Sequence, residues 1–474
     1  MTFYVIDPPL SGHTTWENGV CETPFAAKSE DTFSVQTSSQ ILDRLDVVFD
    51  DKNAVAGGGL VLPMTLAGRL GLRALFDDRV DLGSAVGHAN VGLKAMGLIA
   101  SALAGGDSID DADVLRSGRS ETAIGQWMPA PSTLGTFLRS FTWAHSRQLG
   151  SVAAELLARA WEAGAGPGTK PLTIDVDSTI CTVYGAKKQG ARYGYTKTRG
   201  LHPLVAAAAG TGDVLGIRAR GGNAHTARGA ASFLTEVFNT TRSAGGIGPL
   251  TLRADAGFYS KKVVECCRGH KVRFSITVNL NPALHKAIAR IPESDWQPIP
   301  YWIDGGAEVA ETSYRPFGKN QPLVRLIVRR VKPTPGSQLA LLATWDHHAF
   351  ITNRHGDTLF LEADHRRHAE IELVIRDLKE GSAWCHMPSG SFAANSAWME
   401  LGAMAHNLAR WTARIGELSE RIVTTPTLRR KYLAIPGHVT RSARRSTLHL
   451  ADNWPWRAEY LNALEKVRAL PALH

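Results

Sequence analysis

Three acidic positions, far apart along the chain, have the residue types and local settings that phosphodiester chemistry uses. Asp175 and Asp177 stand two apart in LTIDVDST, Asp255 closes PLTLRAD just before the turn AGF, and Glu370 and Glu372 lie in EIELVIRDLKEG. Alternate residues of a strand project from one face, so Asp175 and Asp177 point together. Two helical residues two apart lie about 200° apart around the axis, so only one glutamate can face a given site. At ~100° per residue, Ile371, Val374, Ile375 and Leu378 form an apolar arc, and His365, His368, Glu372, Arg376 and Lys379 form a separate polar stripe. Glu372 thus shares its face with basic partners and Glu370 does not. Two hard divalent cations, held by carboxylate oxygens about 3.5 to 4 Å apart, activate an attacking oxygen and stabilise a leaving one. Asp177, Asp255 and Glu372 are the expected ligands, with Asp175 open as a supplement to or replacement for Asp177. Each position alone also fits a plainer role: Asp177 as a strand-end cap, Asp255 as the opening of a βα loop, Glu372 as a solvated residue paired with Arg376.

The elements that must bring these acids together are legible from period and punctuation. LTIDVDST, HPLVAAAAG and DVLGIRAR are short apolar runs bounded by Gly or polar residues and predict three successive strands. A helix over TARGAASFLTEVFNTTRS, a strand over PLTLRAD, a helix over SKKVVECCRGH and a strand over VRFSITVNL follow. This order predicts an α/β mixed sheet with parallel crossovers after the third strand, the order of the RNase H-like fold. Residues at the carboxyl ends of neighbouring parallel strands converge on one rim, where Asp177 and Asp255 would meet. Residues 281–352 break the alternation with the strand-like runs PIPYWI, LVRLIVRRV, LALLATW and HAFITN, a β-rich insertion. The domain reading is an irregular arm over 1–40, a helical region over 41–165 beginning at SSQILDRLDVVF, a core of 166–280 plus 353–394, and a helical, basic C-terminal region over 395–474.

The 474 residues are 44% hydrophobic and 20% charged, a globular composition too long for one typical core. A formal charge of +9 draws the molecule toward polyanions, of which nucleic acid is the commonest. Five cysteines without a CxxC pair argue against a disulfide framework and a thiolate zinc site. A zinc site from His347, His348, His365 and His368 lacks accompanying thiolates. The N-terminus has no basic region followed by an apolar run, and no stretch reaches the ~18 apolar residues of a membrane span, so a cytoplasmic protein is expected.

Taken together, DVDST, LRADAGF and ELVIRDLKEG resemble the DDE transposases of bacterial insertion sequences, most closely the insertion sequence 1380 group. Similarity extends to VYGAKKQGARYGYTKTRGLHPL, GGDSIDDADVLR and PSTLGTFLR, roughly residues 50 to 415. The resemblance implies Asp177, Asp255 and Glu372 as catalytic residues using Mg²⁺ or Mn²⁺, with two ions expected. It also implies Lys379, Tyr195, Lys197 and Arg199 at DNA phosphates, a helical N-terminal region that recognises terminal inverted repeats in double-stranded DNA, and a homodimer that synapses two ends. His365 and His368 stand where the family has Tyr and Arg, so the bidentate contact of that Arg is lost although both remain expected DNA contacts. Related transposases stack a Trp of the insertion on a displaced base, which makes Trp345 the candidate here, ahead of Trp296 and Trp302. A core role for Trp345 is the competing reading. Rival functions are a transposase-derived DNA-binding protein without catalysis, separated by a cleavage assay; a nuclease, separated by strand transfer; and a small-molecule hydrolase, which would lack salt-dependent DNA affinity.

Overall fold

The computed structural model describes residues 42–473 except 86, 195–196, 301–305, 333–344 and 420–421. The chain divides into two units, Met1–Asp50 and Asp51–His474. The expected arm over 1–40 lies outside the described residues, as do Tyr195 and Trp302. In the first unit, residues 42–50 close one turn, with the Leu45 N–H donating to the Leu42 carbonyl at 3.2 Å, and then run on without helix. Leu42 is helical and residues 43–49 are not, while the first four residues of SSQILDRLDVVF lie outside the described residues. Val47, Val48 and Phe49 are weak helix formers, and all three are exposed, so no buried face supplies what propensity lacks.

The second unit opens with helices α1 (Val61–Arg69), α2 (Leu72–Arg79), α3 (Val91–Ala104), α4 (Pro131–Arg139) and α5 (Trp143–Ala160). Pro131 takes the first position of α4, where its missing N–H has no intrahelical partner to lose. Gly71 at φ 66° separates α1 from α2 in a left-handed conformation open to glycine. α3 is apolar all round and almost wholly buried. Its Lys94 folds its ammonium back onto the Gly87 and Ala89 carbonyls.

The sheet is built from β1 (Leu172–Ser178), β2 (Leu204–Ala208), β3 (Val214–Arg218), β4 (Leu250–Ala254) and β5 (Arg273–Val278), with α6 (Ala230–Ser243) and α7 (Lys261–Gly269) as crossovers. β6 (Gln297–Ile299), β7 (Ala307–Tyr314), β8 (Val324–Val331) and β9 (Asp346–Thr352) follow. Among the described residues these nine strands form one sheet in the order β6-β7-β8-β9-β5-β4-β1-β2-β3. β4 is parallel to both β1 and β5, and the other pairs are antiparallel, so the fold is a mixed α/β sheet. The strands of the 281–352 insertion do not form a sheet of their own. β9 pairs antiparallel with β5 from Ala349↔Val278 to Thr352↔Ser275 and so extends the central sheet.

Helices α8 (Thr358–Arg366), α9 (Glu370–Gly381) and α10 (Phe392–Ile415) follow. Ile371, Val374, Ile375 and Leu378 of α9 are all buried, as their spacing predicts. α10 is buried over most of its 24 residues and packs against α1, α3, α5 and β3, which ties the N-terminal helices to the sheet. The C-terminal region is not helical throughout. β10 (Gly437–Ser442) and β11 (Arg445–Leu450) form a hairpin across the RSARR segment, joined by Ala54–Val55 as a third strand. Thr440 and Thr447 face each other across it, and Ala443 at φ 51° supplies the left-handed turn residue that a two-residue hairpin loop needs. α11 (Arg457–Ala469) then packs on α1 and α10. Among the described residues no single helix is long and apolar enough to cross a membrane.

Candidate active site

The parallel register of β1 and β4 sets Val176 opposite Ala254, so Asp177 and Asp255, the next residues, stand side by side at the carboxyl rim, Asp177 still paired with Val205 of β2. Asp177 accepts the N–H of Ser178 at 2.6 Å, and Asp255 accepts the N–H of Gly257 at 3.0 Å as it caps the turn Ala256–Phe258. α9 packs across β1 and β2 and carries Glu372 in its first turn. Burial, then the charge of Asp255, and more weakly that of Glu372, push the Asp177 carboxyl up to about 7. Burial also raises Asp255, against the opposing influence of His368 and two turn amides. No ion pair neutralises Asp177, Asp255 or Glu372 among the described residues. A rim where neighbouring carboxylates raise the proton affinity of Asp177 and no ion pair neutralises them has the charge deficit a metal ion fills, and its all-oxygen donors suit a hard one. The three are neighbours rather than a closed chelate: Glu372 is exposed, and among the described residues no three His, Cys, Asp or Glu side chains are gathered closely enough to hold one ion.

The two alternative acids are engaged elsewhere. Asp175 is 2% exposed and forms a two-pronged pair with Arg253 of β4, both contacts at 2.7 Å. A ligand role for Asp175 would leave that guanidinium buried and unpaired. Glu370 pairs with Arg367 at 2.9 Å. Arg253 also donates to the Asp364 carbonyl at 2.6 Å and approaches the Arg367 carbonyl at 3.4 Å. One side chain thus ties both strands to the junction of α8 and α9.

His365 and His368 serve the fold. His365 has Ser275 Oγ at 2.8 Å from Nδ1 and Thr277 Oγ1 at 2.9 Å from Nε2, and its ring stacks on Phe350 with centroids 4.0 Å apart. Burial holds it well below the usual histidine range, so it is neutral. With both nitrogens occupied, His365 has no donor to spare for a phosphate, contrary to expectation. His368 Nε2 donates to the carbonyl of Val176 at 3.1 Å and so fastens the start of α9 to the strand residue before Asp177. Cys181–Thr182, Arg199–Leu201 and Arg192–Tyr193 pair as a three-stranded ribbon. Arg199 spends its guanidinium on the Gly185 and Ala186 carbonyls and stiffens this ribbon, while Lys197 is exposed. Lys379, half-buried, lies near Cys181 of that ribbon. Trp345 is half-buried, with Arg330 4.4 Å above its ring; the same guanidinium lies 4.1 Å from the ring of buried Trp296.

Asp377 holds α9 at its other end. Burial would raise its carboxyl, but His406, Arg410 and the Thr425 N–H together bring it down to about 2. Arg410 is at 3.0 Å and the Thr425 N–H at 2.8 Å. An acid whose folded pKa lies below its unfolded value stabilises above the unfolded value and loses that contribution as pH falls toward the folded one. The wild type is therefore expected to exceed Asp377→Asn by about 2 kcal/mol more at neutral pH than at pH ~2, the gap closing between pH ~4 and ~2. Denaturant titrations of both proteins across that range check this; a constant gap would refute it.

Four residues that sequence reasoning missed complete the site. His202 is 1% exposed; its Nδ1–H donates to the Ala224 carbonyl at 2.8 Å, which leaves Nε2 to accept from Ser178 Oγ at 2.9 Å. Thr226 Oγ1 lies 3.3 Å from Ser178 Oγ. Arg220 and Arg253 are buried. An arginine two residues before an aspartate, mirrored by an aspartate two residues before another, is the one signal that pointed to Arg253 and Asp175.

A mixed sheet with paired strand-end aspartates and a helical glutamate beside them defines a carboxylate-rim site. The model of the family described as Transposase DDE domain group 1 matches residues 38–472, and the chain belongs to this family. No curated protein matches the chain. Among solved structures, it is similar to the cryo-EM structure of the piggyBac transposase synaptic complex with hairpin DNA, at 12% identity, 79% of each chain covered and a TM-score of 0.42.

Proposed function

We propose that this chain is the transposase of a bacterial insertion sequence of the 1380 type, acting on DNA in the cytoplasm, with an RNase H-like core over 166–280 and 353–394. It binds terminal inverted repeats, cleaves DNA strands there and joins the freed 3′ ends to target DNA. The observation that carries this reading is the pairing of β1 and β4 that sets Asp177 beside Asp255, with the charge of Glu372 felt at Asp177 and no ion pair to any of the three among the described residues. Asp177, Asp255 and Glu372 would hold Mg²⁺ or Mn²⁺, which supplies Lewis-acid activation of the attacking oxygen and charge neutralisation at the leaving one. Side-chain rotation of the exposed Glu372 toward the aspartates would complete the donor set.

Around that set, Lys379 and Lys197 meet phosphates, and the helices of the 41–165 region read the terminal repeat. Two protomers hold two ends together. Trp345, with Arg330 and Lys332 over its ring, would stack on a displaced base, a contact worth about 1 to 3 kcal/mol. Incubating the protein with Mg²⁺ and a plasmid carrying the DNA that flanks its coding region tests the reading. Cleavage at the inverted repeats followed by covalent transfer of a labelled end supports it. Cleavage without transfer would make the protein a nuclease, and neither reaction would leave it a DNA-binding relative without catalysis.

A further inference from the structure

Gly221–Gly229 (GGNAHTARG) joins β3 to α6 and, apart from Thr226, contains none of the site residues named above. Its backbone is turned inward onto Arg220, whose guanidinium donates to the carbonyls of His225, Thr226 and Arg228 at 3.0 to 3.1 Å and to that of His202 at 2.9 Å. At the base of the loop Gly222 is pressed against the neighbouring ribbon: a Cβ there would stand 2.1 Å from the Gly200 carbonyl oxygen, so only glycine fits. With its carbonyls satisfied from within, the loop leaves Asn223, His225 and Arg228 exposed.

Thr226 fixes where this loop sits. Its hydroxyl meets Ser178, the neighbour of Asp177, and its methyl packs so closely on Gly257 that a Cβ at that glycine would come within 2.9 Å. Gly257 is the residue whose N–H holds Asp255. The loop is therefore a wall common to both aspartates. Its exposed groups are donors: His225 Nδ1 accepts the Ala227 N–H at 3.2 Å, leaving the ring proton on Nε2, and the Arg228 guanidinium has no partner among the described residues. An anionic strand can approach a pair of carboxylates only where nearby donors offset the repulsion, and a guanidinium fork matches a phosphate.

We propose that Asn223, His225 and Arg228 form a binding element for the phosphodiester backbone of the DNA strand presented to Asp177 and Asp255. This rests on the transposase reading above.

The test is fluorescence anisotropy of wild type, Arg228→Gln and the His225→Ala/Arg228→Gln pair on a labelled duplex made from the DNA flanking the coding region, from ~50 to ~200 mM NaCl. Loss of one phosphate contact lowers the slope of log affinity against log salt by about 0.9 and weakens binding about tenfold at low salt. Melting temperatures stay unchanged because the altered side chains are exposed. An unchanged salt slope in the double variant overturns the inference, as does a lost melting temperature accompanied by an unchanged slope. A wild type that binds with the Arg228-dependent slope yet cleaves nothing would retire the catalytic reading and leave this element standing. A wild type without salt-dependent affinity would sink both.

Discussion

Asp177→Asn, Asp255→Asn and Glu372→Gln each lower Mg²⁺-dependent end cleavage by at least about 10³-fold, equivalent to ~4 kcal/mol of transition-state stabilisation, while DNA binding is kept or tightened. The direction for binding follows from charge: each change removes a negative group from a rim that a polyanion approaches. The near-isosteric replacements preserve the Ser178 and Gly257 backbone contacts of the two aspartates, so the loss is not one of folding. Glu370→Gln is the internal control. Glu370 pairs with Arg367, and its loss leaves cleavage within about twofold, as expected of a surface pair. Single-turnover cleavage of an end-labelled duplex, with binding followed in parallel, measures both. A Glu370→Gln enzyme that is dead beside a fully active Glu372→Gln enzyme would reverse the assignment of the helix face.

Arg253→Met destabilises the protein by about 3 to 5 kcal/mol, the cost of leaving a buried charge without its partner. Asp175 is 2% exposed, and both of its oxygens are held by Arg253, so its carboxylate has nowhere to turn when the guanidinium is removed. The double variant Asp175→Leu/Arg253→Met recovers most of this stability, because a well-packed apolar pair avoids the desolvation that the ion pair only offsets. Cleavage does not recover with it. Arg253 also ties the Asp364 and Arg367 carbonyls, and without those ties the start of α9, and Glu372 with it, is no longer fixed against β1. Denaturant unfolding and cleavage kinetics on the three proteins separate the two roles. Cleavage that returned in step with stability would show that Arg253 acts through folding alone.

How far the sequence carried the reading varies with the range over which each feature is decided. The apolar arc of α9 and the strand-end places of Asp177 and Asp255 depend on neighbours a few residues away, and the structure keeps them. The helical reading of the C-terminal region failed: GHVTRSARRSTLHL forms a hairpin that carries its own turn residue, and the basic character of the segment concealed the alternation.

His365 marks the limit most clearly. On the helix it reads as a polar residue in line with Glu372, yet its ring is committed to Ser275 and Thr277, 90 and 88 positions away. Nothing in the local spacing specifies that pairing. Nor could it specify Thr226 against Ser178, or the continuation of the central sheet through β9 on β5.

Period and residue type, being local, settled by themselves that this chain has an α/β core, which acid ends which strand, and which helical glutamate shares the basic face. Tertiary structure alone decided which of the acids would be neutralised: Asp175 and Asp377 by arginines from other elements, Asp177 and Asp255 by none. The reason is that charge compensation in a folded protein is set by register and packing between segments far apart in the chain, and those are fixed only when the whole sheet closes.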